Sequence, residues 1–379
     1  MPQTNRKTLY LLSFLSLVIV HPIAGEGARV FEPWSSWDNP EGIVVSTDEL
    51  FPNPPYARDW QSQSYMFIGR LDDGTFFAIN LFHWRVTFAQ SWGLLVLVTD
   101  NAGKLYRFEG TPDGPDRGDP RAGFDHVFRN AVFKSSGSEA RIRISLDSFS
   151  CDLLIRNVLP AWIPGDGWAY YDASRSAYNR YALPAPLATV TGSMLVFGRS
   201  LNAEGQCSWD SNFMVQPLRR LNSPQYYFRC FTMPGVPSED RFFIDLIESQ
   251  VSPAYGSVTI PVLLVAKGSA WLFTTKHFSL VPTDWSSLDD PPYAYPRRYL
   301  LSAAGRGWRL DGEYLASRVY EVTDVFRKIP RILRPLVSVF YHRPVIYRMV
   351  GEFNGRLVSP DGQEQRLALP GHGEYVIVK

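Results

Sequence analysis

The fold is read from residues 64–82: Ser64-Tyr65-Met66-Phe67-Ile68-Gly69-Arg70-Leu71, then Asp72-Asp73-Gly74, then Thr75-Phe76-Phe77-Ala78-Ile79-Asn80-Leu81-Phe82. Two runs rich in aromatic and branched side chains flank an Asp-Gly turn, where the chain reverses without splaying its twisted strands. The pattern predicts a β-hairpin. Residues 93–99 and 105–108, on either side of Asp100-Asn101-Ala102-Gly103, repeat it. Further strands are expected at 140–146, 151–155, 187–197, 226–231, 242–247, 258–266, 270–273, 347–353, 356–358 and 375–378. Helical spacing of apolar residues occurs only over 322–341, where Pro330 and Pro335 cut it into two short turns. The expected class is all-β.

Composition agrees. The 379 residues include 24 Phe, 19 Tyr and 11 Trp, while charged residues are only 20%, so the chain can bury or stack a large aromatic surface. The 29 Pro and 28 Gly suit many short strands joined by tight turns. A net charge of +1 argues against a general nucleic-acid grip, which needs a basic face. The basic residues Arg327, Lys328, Arg331, Arg334, Arg343 and Arg348 form one local cluster. It reads either as a lid or membrane-surface contact, or as a solvated face whose Arg stems cover apolar surface.

Residues 1–28 read as an export signal. Arg6 and Lys7 precede a twelve-residue apolar run, residues 9–20, and Ala24-Gly25-Glu26-Gly27-Ala28 offers a small-residue cleavage site. A buried helix or an uncleaved anchor is the alternative; cleavage predicts a secreted or periplasmic protein. The three cysteines, Cys151, Cys207 and Cys230, have no metal-binding spacing. In an oxidising compartment Cys207 and Cys230 can pair; otherwise all three act as small buried hydrophobes.

A weak internal repeat links 187–209 with 350–375: each is a strand with an early Gly, a turn at a second Gly, and a strand that opens on Gly and carries an aromatic four residues later. It predicts two barrel-like domains, 29–230 and 231–379, with the division near 215–245.

Residues 65–77, with Gly205-Gln206-Cys207-Ser208-Trp209-Asp210 and Gly371-His372-Gly373-Glu374-Tyr375, resemble the tandem lipocalin-like superfamily. That superfamily includes AttH-type secreted proteins, carotenoid 1,2-hydratase, and survival-factor and kievitone-hydratase relatives. The resemblance implies two consecutive calycin-type β-barrels or barrel-sandwich hybrids around apolar pockets, in proteins ranging from lipid carriers to hydratases and cyclases. It also implies an Asp-His pair after the Gly that opens the last strand of the first domain. Here Asp210 is retained and Ser211 replaces the His, leaving His83 or His277 to approach from another strand.

These readings yield the candidate site. Asp210 is a general acid in an apolar pocket, with Trp209 able to stabilise positive charge through its ring face. His372 and Glu374, two apart on a strand and therefore on one face, are the second acid-base pair. Trp209, Trp168, Tyr170, His83, Trp84, Tyr65 and Phe67 are the expected ligand contacts; each also reads as core, rim or turn. Asp166 and Asp172 bracket the Trp168-Tyr170 stretch, and Asp289-Asp290 reads as a turn. No phosphate-binding glycine loop, zinc-protease helix, EF-hand or nucleophile elbow is present, and no cofactor or metal is expected. The leading expectation is an exported protein that binds a hydrophobic lipid-, isoprenoid- or polyketide-like molecule in a β-barrel pocket. A hydratase, cyclase or isomerase acting on such a chain is the alternative, and an envelope or membrane-surface protein the third.

Overall fold

In this computed structural model the described residues are 31–33, 50–51 and 61–378, without 87–88, 120–123, 172–173, 216–222, 233–234, 290, 292 and 325–342. The leader, Asp172, Asp290, Arg327, Lys328, Arg331, Arg334 and nearly all of the expected helical stretch lie outside them.

Among the described residues thirteen strands form the first sheet. They are β1 (Phe31–Pro33), β2 (Gln61–Leu71), β3 (Phe76–Val86), β4 (Ala89–Thr99), β5 (Leu105–Gly110), β6 (Asp125–Val127) and β7 (Ala131–Ser136). The others are β8 (Glu139–Ser145), β9 (Phe149–Asn157), β10 (Trp168–Tyr170), β11 (Tyr178–Val196), β12 (Arg199–Asn202) and β13 (Gly205–Val215). Their main order is β5-β4-β3-β2-β13-β11-β9-β8-β7-β6, with β10 and β12 on β11 and β1 on β10.

Nine strands among the described residues form the second sheet. They are β14 (Gln225–Phe231), β15 (Phe242–Gln250), β16 (Thr259–Lys267), β17 (Ala270–Thr275), β18 (Phe278–Ser287), β19 (Ala294–Gly305), β20 (Trp308–Asp324), β21 (Pro344–Val358) and β22 (Glu364–Val378). The order is β17-β16-β15-β14-β22-β21-β20-β19-β18. Every neighbouring pair on these paths is antiparallel, as expected of strands joined by tight turns.

The decisive hairpin forms as read. β2 and β3 pair from Gln61 opposite Arg85 to Arg70 opposite Phe76, and Gly74 turns the chain at φ +87°. Gly69 is needed for a different reason: a Cβ there would stand 2.4 Å from the Phe77 ring that lies across it. Alternation governs the outer strands. In β8, Ala140, Ile142 and Ile144 are buried while Arg141 and Arg143 face water.

The strands between the sheets are apolar on both faces, and the structure shows why. One face of β2, β3 and β13 carries Tyr65, Phe67, Phe77, Ile79, Cys207 and Trp209 into the first core. The other face of β2, β3 and β4 carries Met66, Ile68, Phe76, Ala78 and Leu97 onto Phe231, Phe243, Ala266 and Tyr320 of the second sheet. A second contact joins Tyr171, Tyr181 and Leu183 to Val251, Tyr255, Val262 and Leu264. The second core is rich in tyrosine, with Tyr226, Tyr299, Tyr314, Tyr347 and Tyr375 around Phe228 and Phe353.

The division between sheets falls between Val215 and Gln225, because β14 pairs with β15 and β22, which puts residues 225–230 on the second sheet. Two expectations are corrected. Val322 and Thr323 continue β20 rather than starting a helix. Cys207 and Cys230 are free thiols, because alternation sends them into separate cores.

The Phe243 ring is fully buried in the contact between the sheets, so Phe243→Ala should cost about 3–5 kcal/mol in urea unfolding. A loss below about 1 kcal/mol would show that this contact does not stabilise the fold.

Candidate functional site

Strand register assembles a polar face in the middle of this apolar contact. In the second sheet Arg229 stands opposite Asp245 on one side and His372 on the other. Tyr227 stands opposite Glu374, Glu374 opposite Arg348, and Arg348 opposite Glu321. Residues directly opposite share a face, so these side chains form two adjoining rows across β15, β14, β22, β21 and β20. Asp210 of β13, Tyr181 of β11 and Arg107 of β5 reach them from the first sheet.

The first row centres on Arg229, which is fully buried. Its Nε donates to Asp245 at 3.2 Å and its Nη2 to Tyr181 at 3.3 Å, and Nη2 also bonds Asp210 and the Tyr227 hydroxyl. The Tyr227 hydroxyl donates to Asp210 at 3.0 Å, and Tyr181 donates to Asp245 at 3.3 Å. Among the described residues Arg229 Nη1 has no partner. One guanidinium thus serves two carboxyls, one from each sheet. Burial raises the pKa of both against the pull of Arg229, and Asp245 reaches about 6. One carboxyl of the trio is therefore readily protonated while Arg229 keeps its charge.

The second row differs in charge state. Burial would raise Glu374, but Arg348 and then His372 bring it down to about 2. Arg348 donates to Glu374 at 2.7 Å and to Thr323 at 2.8 Å, and pairs with Glu321, which Arg107 also meets. Burial lowers the His372 pKa, so the ring is neutral near pH 7. Its Nε2 lies 3.3 Å from ionised Glu374 and its Nδ1 2.9 Å from the Tyr320 hydroxyl. Nε2 therefore carries the proton and Nδ1 accepts from Tyr320.

Beside this network lies a cavity of about 220 Å³, lined by Phe76, Phe231, Val350 and Pro370 together with polar groups of the β2–β3 and β4–β5 turns. Phe76 links the two: it lines the cavity and stacks on His372 with ring centres 5.2 Å apart. No carboxyl of the network lines the cavity.

The structure divides the sequence candidates into separate places. Asp210, His372 and Glu374 come together at the interface. Trp209 does not join them, since its neighbour Asp210 points through the opposite face of β13. Tyr65, Phe67 and Trp209 are no more than 3% exposed and pack on Phe124, which fills the interior where the pocket was expected. His83 lies near the same interior against Trp92, whose ring neighbours His126, and His126 bonds Asp116 at 2.7 Å. Trp84 occupies the opposite face of β3. Trp168 and Tyr170 stack together on Tyr178, apart from both places. Arg343 pairs with Asp324 and Arg348 is buried in the network, so neither belongs to a positive surface cluster.

Arg229, Asp245, Tyr227, Tyr181, Arg348 and Glu321 were missed. The available signal was a charge inside an apolar strand, as in Tyr226-Tyr227-Phe228-Arg229-Cys230-Phe231 and Phe242-Phe243-Ile244-Asp245-Leu246-Ile247. Such a charge is almost never fully buried unless it is paired.

No family model matches the chain, and no curated protein matches it. Solved structures do. CghA with Sch210972 superimposes with a TM-score of 0.64 at 12% identity, covering 93% of this chain and 98% of that one. An AttH candidate from Nitrosomonas europaea gives 0.57 at 14%, covering 86% and 98%. Kievitone hydratase from Nectria haematococca gives 0.55 at 12%, covering 93% and 99%. The chain has the fold of these proteins, the tandem lipocalin-like fold expected from the sequence.

Native Asp245 holds its proton to about pH 6, whereas an unfolded aspartate releases it near pH 4. Its contribution to stability therefore falls as pH rises through that window. Arg229→Met strips both carboxyls of their countercharge and should cost about 3–5 kcal/mol at pH 7.5. The loss should be smaller at pH 5, where the acids protonate. Equal losses in urea unfolding at the two pH values would mean that Asp210 and Asp245 are not what Arg229 holds.

Proposed function

We propose that the protein binds an apolar small molecule in the cavity at the junction of its two sheets. The observation that carries this reading is the cavity itself: about 220 Å³, with Phe76, Phe231 and Val350 in its wall and a few polar groups beside them. Ligand sites have this make-up, and they favour junctions between domains. The volume is below the ~300 Å³ at which drug-sized sites begin, so the cavity suits a small ligand or one end of a longer one. CghA supports the reading as a protein of the same fold in complex with a small molecule, Sch210972. Export through the 1–28 leader belongs to the same proposal, and N-terminal sequencing of the protein from culture medium or periplasm tests it.

Ser317 lines the cavity, is exposed, and among the described residues its side chain bonds the Val350 carbonyl alone, so Ser317→Trp should fill the space without disturbing either core. Native mass spectrometry of the purified protein should find an apolar small molecule that is absent from this variant. Retention by Ser317→Trp together with loss in Trp209→Ala would move the ligand into the first sheet's interior.

A second reading, proton transfer, is favoured by one observation: Asp245, near pKa 6, shares Arg229 with Asp210 beside the cavity. A carboxyl that protonates readily in dry surroundings delivers a proton to an alkene carbon or to a carbonyl oxygen, the first step of hydration or isomerisation. Kievitone hydratase shares the fold. In this reading the pair of carboxyls holds the proton and Asp210, on the first sheet, delivers it with Asp245 as its acid partner. Phe76 and His372 move aside when substrate enters, and Asp210→Asn abolishes turnover while ligand affinity stays within about twofold. Equal loss of both would make Asp210 a structural residue.

A further inference from the structure

Building on the proposed cavity site, we infer that its ligand is an amphiphile ending in one carboxylate. The carboxylate lies against Arg70, Arg318 and the Thr99 hydroxyl, and the apolar body lies against Phe76, Phe231 and Val350. All six residues line the cavity.

The polar wall has unused binding capacity. Thr99 is 5% exposed, and its Oγ1 is buried without a partner among the described residues. Arg70 Nε is likewise buried and unpartnered, and the Arg70 guanidinium makes no hydrogen bond or ion pair with any described residue. Burial lowers its pKa, the mark of a cation short of a partner; Glu352, exposed and outside the lining, acts on it only through its field. Arg318 gives Nη1 to the Gly103 carbonyl across the junction, which steadies its guanidinium at the cavity and leaves the rest of the fork for a ligand. Unmet buried donors cost free energy that a ligand oxygen recovers.

Charge sets the size of the anion. The lining holds two arginines and one carboxylate, Asp100. Asp100 accepts from the Lys104 amide at 2.8 Å and the Tyr106 hydroxyl at 3.3 Å and stands 3.9 Å from Arg199, a third cation whose charge is offset by Glu352, which acts on Arg70. The balance is one positive charge, which suits a carboxylate better than a phosphate dianion. A planar carboxylate also matches the guanidinium fork in two parallel bonds.

Calorimetric titration of the full chain with sodium octanoate, 1-octanol and octyl phosphate at low salt and pH 8 tests this. Octanoate should bind at least tenfold more tightly than octanol, and more tightly than octyl phosphate. Arg70→Met should weaken octanoate about tenfold and leave octanol within twofold; Thr99→Val should weaken octanoate several-fold. Arg318→Met, at an exposed residue, should lower octanoate affinity with no change in circular dichroism, which keeps the test valid if Arg70→Met misfolds. Octanol binding as tightly as octanoate, or equal losses for both in Arg70→Met, overturns the headgroup and leaves the apolar cavity standing. Preference for octyl phosphate overturns the single-charge argument. Binding of none of the three overturns the cavity reading beneath it.

Discussion

One guanidinium holds the two halves of this molecule in register. Arg229 lies at the centre of the contact between the sheets, bonded to Asp210 from one and Asp245 from the other. Desolvating three ionisable groups is unfavourable unless every charge meets its partner. Only this docked arrangement brings Asp210 to Arg229, because a shifted docking would set Arg229 and Asp245 against apolar side chains of the first sheet. The surrounding rings supply attraction without direction, while the ion cluster specifies the angle and offset at which they meet. The cavity inherits its shape from that constraint: its walls come from turns of the first sheet and strands of the second.

The chemistry of the junction is layered. Outermost is the cavity, next the Phe76 and His372 rings, and behind them the carboxyls and arginines. A molecule in the cavity meets apolar surface and two arginines before it meets any group of unusual acidity. This order favours binding as the basic activity, with proton transfer a capacity that needs the ring layer to shift. The same order explains how a neutral His372 coexists with ionised Glu374: the imidazole donates on one side, accepts from Tyr320 on the other, and stays dry.

Local patterns in the chain announce its strands well. The Asp72-Asp73-Gly74 turn and the alternating β8 form near where short-range chemistry places them, whereas β22 begins at Glu364, well ahead of the expected 375–378. The site was only half legible. His372 and Glu374 stand out because they are two apart on one strand, and Asp210 because of the resemblance. That they converge is a matter of register between strands more than a hundred residues apart. Asp210 meets Arg229 only because β13 and β14 face each other across the junction, which no local spacing encodes. Trp209 misled for a simple reason: adjacent residues on a strand point to opposite sides, so the aromatic beside the acid belongs to the core behind it. The long β18 to β20 strands, rich in Arg and Ser, were missed because their outer residues face water and dilute the apolar signal.

The pairing of β2 with β13, and of β14 with β22, bears on how the chain is made. In each sheet an early strand is bonded on one side by the last strand of that sheet. A ribosome therefore releases the first unit as a finished surface once Val215 has emerged, but Arg229 and Asp245 come out soon afterwards and must wait for β22. Until the fifteen residues of β22 arrive, β14 presents an open edge and the interface charges lack a complete second sheet to hold them. Loss of β22 would accordingly expose the centre of the molecule rather than trim its surface.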